Sequence, residues 1–352
     1  MAKSVFKGVR ISGVAGAVPQ QRVDNLKDHQ FVPEDDRKKI VALTKVGAYR
    51  RAPVEMCSSD LCQAAAEALL SGLGRTAQDI DAIVFTTMTP DYRVPSTACL
   101  LQDRLHCRTS TLAYDINMGC SGFVVGLYNA CTLIQGGGLK RVLLLAGDTQ
   151  TKLCHSEDKN VVFILGDGGT ATLLEADPTA DDIVIELMTD GSRFKNLYVP
   201  AGGFRCRSNE TTRRVEEQPD GGVRSAENLY MNGMEIFKFS ATDVVKSIAE
   251  FMEAQHICPE EIDSLFLHQA NGFMNEKISR KLKIPDAKVP YTIGFYGNTG
   301  SASIPLTMAH HYSTTVPTRE RCLLSGFGVG LSWGVVSATL DGVYAPPVVE
   351  LA

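Results

Sequence analysis

The feature of this sequence that most constrains its fold is an internal repeat linking its two halves. The matching pairs, at a nearly constant offset of 180 to 182 residues, are 68–87 with 250–269, 114–122 with 295–303, and 141–147 with 321–327. Three short matches in chain order indicate a duplicated unit, although all βαβ units share some likeness. We therefore expect two similar α/β halves, residues 1–176 and 177–352.

The run Ser110–Gly138 is typical of a strand, a tight turn and a buried helix. Thr111–Ile116 mixes β-branched, aromatic and apolar residues, whereas Phe123–Ile134 is apolar on nearly all sides. The glycines Gly136–Gly138 provide a stop signal for the helix. A helix of this kind is expected in the centre of a large protein.

Cys120 precedes this helix, between Gly119 and Gly122. Backbone N–H groups at a helix N-terminus favour negative charge, so we expect a lowered pKa and a thiol shifted toward thiolate. The two glycines allow a sharp turn and a close approach of substrate. The pattern predicts a nucleophile, and an inert buried cysteine is the alternative.

Composition excludes several classes of function. A chain of 352 residues with a formal net charge of −5 has no overall basic footprint, so we expect neither nucleic acid nor an anionic membrane as a partner. The ten cysteines form no CxxC pair and no metal-ligand spacing, so they are expected to be reduced and no metal is predicted. There is no signal-like or membrane-spanning apolar segment, and a cytoplasmic location is expected.

The duplication also predicts an active site. If the halves pack about a pseudo-twofold axis, the turn at Gly297–Ser301 and the strand end at His268 converge on the crevice that holds Cys120. One nucleophile, one imidazole and the carboxamide of Asn298 would then meet. A buried structural histidine and a simple turn asparagine are the alternatives.

Five ordered motifs carry a family resemblance: DINMGCSGF, LGDGGTA, LFLHQANG, YGNTGSASIP and GFGVGLSWG. In this order and spacing, from about Lys7 to Leu340, the chain resembles β-ketoacyl-acyl carrier protein synthase III and its thiolase-fold relatives. The resemblance implies a thiolase-like fold of duplicated halves in five layers, α/β/α/β/α, and a homodimer. It also implies that the charged and glycine-rich segment Thr189–Glu227, an exposed loop by composition, lies near the substrate entrance.

The resemblance implies a two-step reaction. Cys120 would accept an acyl group from a thioester, with the oxyanion held by the backbone N–H groups of Cys120 and Val329. A malonyl thioester, on an acyl carrier protein, would then lose carbon dioxide beside His268 and Asn298, and its enolate would attack the acyl group. The product is a 3-oxoacyl thioester for fatty acid or related acyl-chain synthesis. No cofactor is needed, because coenzyme A or carrier-protein thioesters are the substrates.

Further binding residues follow by resemblance. Expected contacts to the phosphopantetheine arm are Met231, Gly233, Phe237, Ala270, Asn271 and Phe327. Where relatives clamp the adenine of coenzyme A with an aromatic residue and arginines, this chain has Val41, Lys45 and Lys159. Lysine lacks the planar guanidinium, so we expect Lys45 and Lys159 to bind substrate as point charges. Either an acyl-carrier-protein donor or a different mode of coenzyme A binding is then expected.

The resemblance also implies two surfaces that contact other proteins. Val94 occupies the position that caps the partner subunit's acyl pocket, where a small side chain would admit a longer or branched primer. The basic residues Lys277, Arg280 and Lys281 suit docking of an acidic acyl carrier protein, with a solvated helix face as the alternative.

Two other functions remain open at this point. One is an acyltransferase of the same fold that passes the acyl group from Cys120 to an alcohol, amine or sugar without decarboxylation. The other is a non-catalytic scaffold that binds carrier proteins. The combination of Cys120, His268 and Asn298 argues against both, because a simple transferase has no enolate to stabilise and a scaffold needs no nucleophile.

Overall fold

The first of two large sheets contains most strands of the N-terminal half. The structure, a computed structural model, describes residues 3–316 and 318–352. The strands of this sheet are β2 (Val9–Pro19), β5 (Ala82–Thr86), β6 (Leu112–Ile116), β7 (Arg141–Thr149), β8 (Asp167–Ala176) and β17 (Val349–Leu351). Their spatial order is β17-β2-β8-β7-β5-β6. Every residue of β5 is buried, which explains its unbroken apolar run in place of an alternating pattern.

The second sheet is built mainly from strands of the C-terminal half. Its members are β1 (Lys3–Phe6), β9 (Ile183–Thr189), β14 (Ser264–Leu267), β15 (Glu320–Gly328) and β16 (Ser332–Leu340). They lie in the order β1-β9-β16-β15-β14. Because β1 pairs with β9 and β17 pairs with β2, each end of the chain adds a strand to the sheet of the opposite half.

Among the described residues there are also three short antiparallel strand pairs and ten α-helices, besides several short 3-10 and π turns. The pairs are β3 (Arg22–Asp24) with β4 (Ala48–Arg50), β10 (Leu197–Tyr198) with β13 (Tyr230–Met231), and β11 (Glu216–Glu217) with β12 (Val223–Arg224). The helices are α1 (Glu34–Thr44), α2 (Ser58–Gly72), α3 (Thr97–Arg104), α4 (Gly122–Gly137), α5 (Glu210–Arg213), α6 (Gly233–Phe239), α7 (Val245–Ala254), α8 (Gly272–Lys281), α9 (Ile293–Tyr296) and α10 (Ser303–Tyr312).

The helices and sheets stack in five layers. Helices α4 and α10 fill the space between the two sheets in one apolar core. Helices α2 and α3 pack on the outer face of the first sheet, and α6, α7 and α8 on the outer face of the second. The predicted five-layered arrangement is confirmed, and α4 is the buried central helix that the sequence predicted.

The duplication is visible in the strand pairing. In the first sheet β2 and β8, and β8 and β7, are antiparallel, whereas β7 and β5 are parallel. The second sheet repeats this pattern with β9, β16, β15 and β14. The internal repeat therefore corresponds to a repeated sheet topology, with the ends of the equivalent strands β5 and β14 on the same crevice.

The repeat fails at one element. The strand β6 has no counterpart beside β14, because the equivalent segment forms the short helix α9. That segment contains Gly294 and Gly297, and Gly297 adopts a φ of 73°. Glycine weakens a strand and permits this conformation, so the chain turns where its equivalent extends.

The long segment Thr189–Glu227 is exposed at many positions, but it is held in place by one buried side chain. Arg224 pairs with Asp158 and Asp220 and lies over the ring of Tyr230. The composition of the segment predicts a flexible loop, and this buried ion pair is what the composition does not reveal. Within residues 3–316 and 318–352, no helix is long and apolar enough to span a bilayer.

Candidate active site

One apolar tunnel brings together the three residues predicted to do chemistry. Cys120, His268 and Asn298 come from three separate segments and line the same cavity. The other lining residues are mostly apolar: Met88, Gln150, Val161, Ile164, Leu165, Leu197, Leu229, Met231, Ile236, Ala270, Asn271, Met274, Phe327, Gly328 and Val329. A cavity of this composition suits an acyl chain and an extended carrier arm.

Cys120 lies in the turn between β6 and α4, where its sulfur meets two backbone donors. The backbone N–H groups of Cys120 itself and of Val329 lie beside Sγ and act to lower the pKa of the thiol. Val329 belongs to the turn between β15 and β16, so one donor comes from each half. A Cβ atom at Gly328 would lie 2.6 Å from Sγ, which makes glycine necessary at that position.

The sequence-based expectation of a lowered pKa at Cys120 is wrong for the free enzyme. Burial raises the pKa of the thiol to about 11, and the charge of Asp148 acts in the same direction. The two backbone N–H groups lower it but do not compensate for the lost hydration. Sequence reasoning identified the donors at the helix N-terminus but had no measure of how completely the turn is covered.

His268 follows β14 and lies almost fully buried in the tunnel wall. Its Nδ1 is 2.6 Å from the Oγ of Ser303 at the start of α10, so Nε2 is the nitrogen left to face the tunnel. Burial lowers the pKa of the imidazole to about 3, against an opposing hydrogen bond with the Gly300 backbone. His268 is therefore neutral at physiological pH, a form that can donate one hydrogen bond without carrying charge.

The side chain of Asn298 is oriented by its own turn. Its Oδ1 accepts a hydrogen bond from the N–H of Gly300 at 3.0 Å, which leaves Nδ2 as the free donor. The backbone carbonyl of Asn298 accepts from the N–H of Gly166 at 2.8 Å and from Nε2 of Gln150 at 2.9 Å. The amide group thus has a fixed direction before any substrate arrives.

Asp148 is a buried charged residue of the site that sequence reasoning missed. Its Oδ1 accepts from the N–H of Met88 at 2.7 Å, and its Oδ2 accepts from the N–H and Oγ of Ser301 at 2.9 and 2.8 Å. Burial raises the pKa of this carboxyl to about 6. An acidic residue at the end of the apolar run RVLLLAGD was the available signal. Asp148 ties the end of β7 to the turn before α10 and so joins the two halves.

Comparison with known proteins agrees with this geometry. A family model described as 3-oxoacyl-[acyl-carrier-protein (ACP)] synthase III matches residues 114–191, and its C-terminal companion matches 252–340. A β-ketoacyl-[acyl-carrier-protein] synthase III from Streptococcus equi is 34% identical over 92% of this chain and 97% of that protein. One from Clostridium perfringens is 32% identical over 94% and 98%.

A solved 3-oxoacyl-(acyl-carrier protein) synthase from Burkholderia xenovorans superposes with a TM-score of 0.93 at 35% identity, covering 99% of each chain. The chain belongs to the β-ketoacyl-acyl carrier protein synthase III family. The resemblance drawn from the five motifs and the thiolase-like fold are both confirmed. The protein is an enzyme, a transferase of the condensing type found in fatty acid biosynthesis.

The residues predicted to contact a carrier arm divide into two groups. Met231, Ala270, Asn271 and Phe327 line the tunnel. Gly233 and Phe237, both on α6, are not among the lining residues of that cavity. Phe237 instead stacks on Phe273 of α8, with ring centroids 5.5 Å apart. Periodicity could not separate these two groups, because all six residues lie on segments next to the tunnel.

The two lysines at the presumed adenine-clamp positions differ in their surroundings. Lys45 forms an ion pair with Glu276 of α8, so its charge is already partnered. Lys159 is exposed, and a Cβ atom at Gly221 of the long segment would lie 3.0 Å from its Nζ. Only Lys159 is thus placed beside the segment that the family resemblance puts at the substrate entrance.

The residues predicted for partner contacts lie on the surface of this chain. Val94 is 83% exposed and does not line the tunnel of its own subunit. Arg280 and Lys281 are exposed on α8, where Lys281 donates to the carbonyl of Ala241 at 2.7 Å. Lys277 is half-buried over the ring of Phe273, 5.3 Å from its centroid.

Proposed function

We propose that this enzyme transfers an acyl group from a thioester to Cys120 and then condenses it with a malonyl thioester, with loss of carbon dioxide. The observation that supports this most is the pair of N–H groups, from Cys120 and Val329, that meet at Sγ beside His268 and Asn298. In this proposal the same donors hold the oxyanion that forms when sulfur attacks a thioester carbonyl.

In the first step the sulfur of Cys120 forms a bond to the acyl carbon and the bond to the donor's sulfur breaks. The proton lost by Cys120 ends on the departing thiol, so the step needs no external acid or base. Because burial raises the pKa of Cys120, the thiol loses its proton only as its sulfur attacks, while the N–H donors take up the charge that develops on the thioester oxygen.

In the second step malonyl thioester loses carbon dioxide and its carbonyl oxygen becomes an enolate. Nδ2 of Asn298 and Nε2 of His268 donate hydrogen bonds to that oxygen. Because His268 is neutral, Ser303 must donate its hydroxyl proton to Nδ1 so that Nε2 carries the hydrogen. The enolate carbon attacks the acyl carbon, and the sulfur of Cys120 leaves and takes up one proton.

Substitution of Asn298 by Ala tests the division of labour between the two steps. We expect decarboxylation of malonyl-acyl carrier protein to fall by about a hundredfold or more, because a developing charge loses a donor. Acylation of Cys120, measured by intact mass, should remain within about tenfold of wild type. Asn209→Ala, at a helix start in the long segment, is the matched control. Loss of both steps in the variant would contradict the assigned role, and a wild-type enzyme that is acylated but releases no carbon dioxide from malonyl-acyl carrier protein would favour simple acyl transfer.

The carrier partner follows from the charge on α8. Arg280 and Lys281, with Lys277, form a basic face that suits an acidic acyl carrier protein. Lys159 lies at the entrance and is positioned to meet the phosphate of the arm, while Lys45 is neutralised by Glu276. These assignments favour a carrier protein over coenzyme A as the main docking partner.

Charge reversal at Lys277, Arg280 and Lys281 should raise KM for the carrier-protein substrate by about tenfold. The KM for small thioester mimics should not change. Lys246→Glu on α7 is the control, because Lys246 is exposed and pairs only weakly with Glu250. Unchanged kinetics with the carrier protein would remove the docking surface.

A homodimer is the assembly that the surface favours. The strand β6 is the outer strand of an otherwise buried sheet, and Leu112 on it is exposed. Tyr92 and Val94 add exposed apolar surface on a nearby loop. Unpaired edges and apolar patches of this kind are usually covered. Sedimentation equilibrium tests this, and a monomer at micromolar concentration would contradict it. The cytoplasmic location expected from the sequence stays a prediction.

A further inference from the structure

Gln150 is a polar side chain in a wall that is otherwise mostly apolar. It follows β7 directly and lines the tunnel together with Cys120 and Asn298. Only 2% of its surface is exposed. Nearby lining residues on the same side of the tunnel, Ile164 and Leu165, offer no hydrogen bond from their side chains.

The orientation of the Gln150 amide is determined by its neighbour. Its Nε2 lies 2.9 Å from the backbone carbonyl of Asn298, and only the NH₂ group can donate to that carbonyl. The Oε1 atom therefore points the other way. It accepts no hydrogen bond from residues 3–316 and 318–352, yet it is not sealed off by surrounding atoms. Because Gln150 lines the tunnel and is otherwise buried, we infer that the surface left to Oε1 faces the tunnel.

An acceptor in this position favours some acyl chains over others. When a plain hydrocarbon chain fills the tunnel, it removes water from Oε1 and offers nothing in return, which costs free energy. A chain with a hydroxyl or N–H group beside Oε1 restores the lost hydrogen bond. Sites that hydrogen-bond a substrate hydroxyl discriminate against the analogue that lacks it.

We propose that Gln150 is a specificity-determining residue that selects acyl primers carrying a hydrogen-bond donor close to the thioester. This inference rests on the proposed function, since it concerns the acyl group that Cys120 accepts. The donor is a hydroxyl or an amide N–H of the primer itself. The amide groups of a phosphopantetheine arm offer the same chemistry, and the experiment separates the two sources.

The experiment measures the rate constant for Cys120 acylation by intact mass. The probes are thioesters of a straight-chain acid and of its hydroxylated analogues, one for each carbon beyond the carbonyl, all on the same carrier thiol. Any hydrogen bond to the arm is common to the whole series and cancels from the ratio. For at least one position of the hydroxyl, the hydroxylated thioester should acylate the wild-type enzyme about tenfold faster than the straight-chain thioester does.

Gln150→Met removes the acceptor while keeping the length of the side chain. We expect it to abolish the preference for the hydroxylated primer. The ratio of the acylation rate constants for the hydroxylated and the straight-chain thioester should fall by about tenfold. Ile164→Leu is the control, because it reshapes the same wall without changing its hydrogen bonding, so its ratio should stay at the wild-type value. Thermal unfolding midpoints of both variants establish that they fold.

The outcomes separate cleanly. If Gln150→Met leaves the ratio of acylation rate constants unchanged, the inference is overturned. An equal loss of acylation rate for every primer also overturns it, because Gln150 would then contact the arm or support Asn298. Wild type that is acylated but prefers no hydroxylated primer also overturns it, while the proposed function stands. Wild type that no thioester acylates overturns the proposed function and this inference together.

Discussion

The two halves contain equivalent pairs of contacting residues whose chemistry is very different. Cys120 and Ser301 are equivalent at an offset of 181, and Gly328 and Asp148 at an offset of 180. Cys120 lies against Gly328, which leaves its sulfur open to the tunnel. Ser301 lies against Asp148, which accepts hydrogen bonds from both its N–H and its hydroxyl.

The comparison shows what makes one of two similar turns reactive. Each turn precedes a central helix, α4 or α10, so the backbone setting is alike. In one case the facing residue has no side chain and substrate can take the space. In the other a carboxylate occupies that space and binds the donors that an oxyanion would need. Open space and free N–H donors, more than the helix itself, distinguish the turn that we propose to be catalytic from the structural one.

The largest expected effect comes from moving the thiol between these turns. Cys120→Ala should lower acylation by at least about a thousandfold, because the nucleophile is gone. Adding Ser301→Cys should restore none of it, since that position is enclosed by Asp148 and faces no tunnel. Intact mass with an acyl thioester checks both variants. An acyl adduct on the double variant would show that the two turns are interchangeable.

Closing the space beside Cys120 should have the next largest effect. In Gly328→Ala the new Cβ would lie 2.6 Å from Sγ, so the sulfur or the turn must move. Displacements of this size cost about a hundredfold in rate, which we expect for acylation. Gly136→Ala, in open space near the end of α4, should leave the rate unchanged. Wild-type kinetics in Gly328→Ala would contradict the requirement for an empty position.

Asp148→Asn probes the structural contact. The two carboxylate oxygens of Asp148 each accept a hydrogen bond from a backbone N–H, one from Met88 and one from Ser301. In the variant one of these oxygens becomes an NH₂ group, which must face an N–H donor and cannot accept from it. We expect a loss of about 2 to 4 kcal/mol in the free energy of unfolding at neutral pH. Chemical denaturation monitored by circular dichroism gives this value, and a change under 1 kcal/mol would contradict the role in joining the halves.

The pH dependence sharpens the same prediction. The carboxyl of Asp148 has a pKa raised from 3.8 to about 6 in the folded state, so its protonated form is the more favourable one there. The stability that this contributes is fully present below pH 4 and is lost as the pH rises through 6, about 3 kcal/mol in all. Asp148→Asn lacks this titration. If the free energies of unfolding of wild type and Asp148→Asn changed in parallel between pH 4 and pH 6, the carboxyl of Asp148 would have an ordinary pKa.

Ser301→Ala should have the smallest effect. It removes the hydroxyl hydrogen bond to Asp148 but leaves the backbone donor, so unfolding should become easier by about 1 kcal/mol. Acylation of Cys120 should change by less than about threefold, because Ser301 does not line the tunnel. A large loss of acylation would mean that the second turn takes part in the chemistry.

Much of this arrangement could be predicted because its signals are local. The glycines beside Cys120, the ordered motifs and the repeat are short patterns with one physical meaning each, and they led to the five-layered fold. Burial is different, since it depends on segments far apart in the chain. The raised pKa of Cys120 could not be predicted for that reason. Nor could the pairing of Lys45 with Glu276, or the exclusion of Phe237 from the tunnel.

The exchanged terminal strands have a consequence for the history of the molecule. We propose that the division at residue 176 reflects an ancestral fusion of two copies. Strands β1 and β17 now complete each other's sheets, so neither piece of a chain cut at that point could form a full sheet alone. In this proposal each copy relies on the other for one edge strand of its sheet.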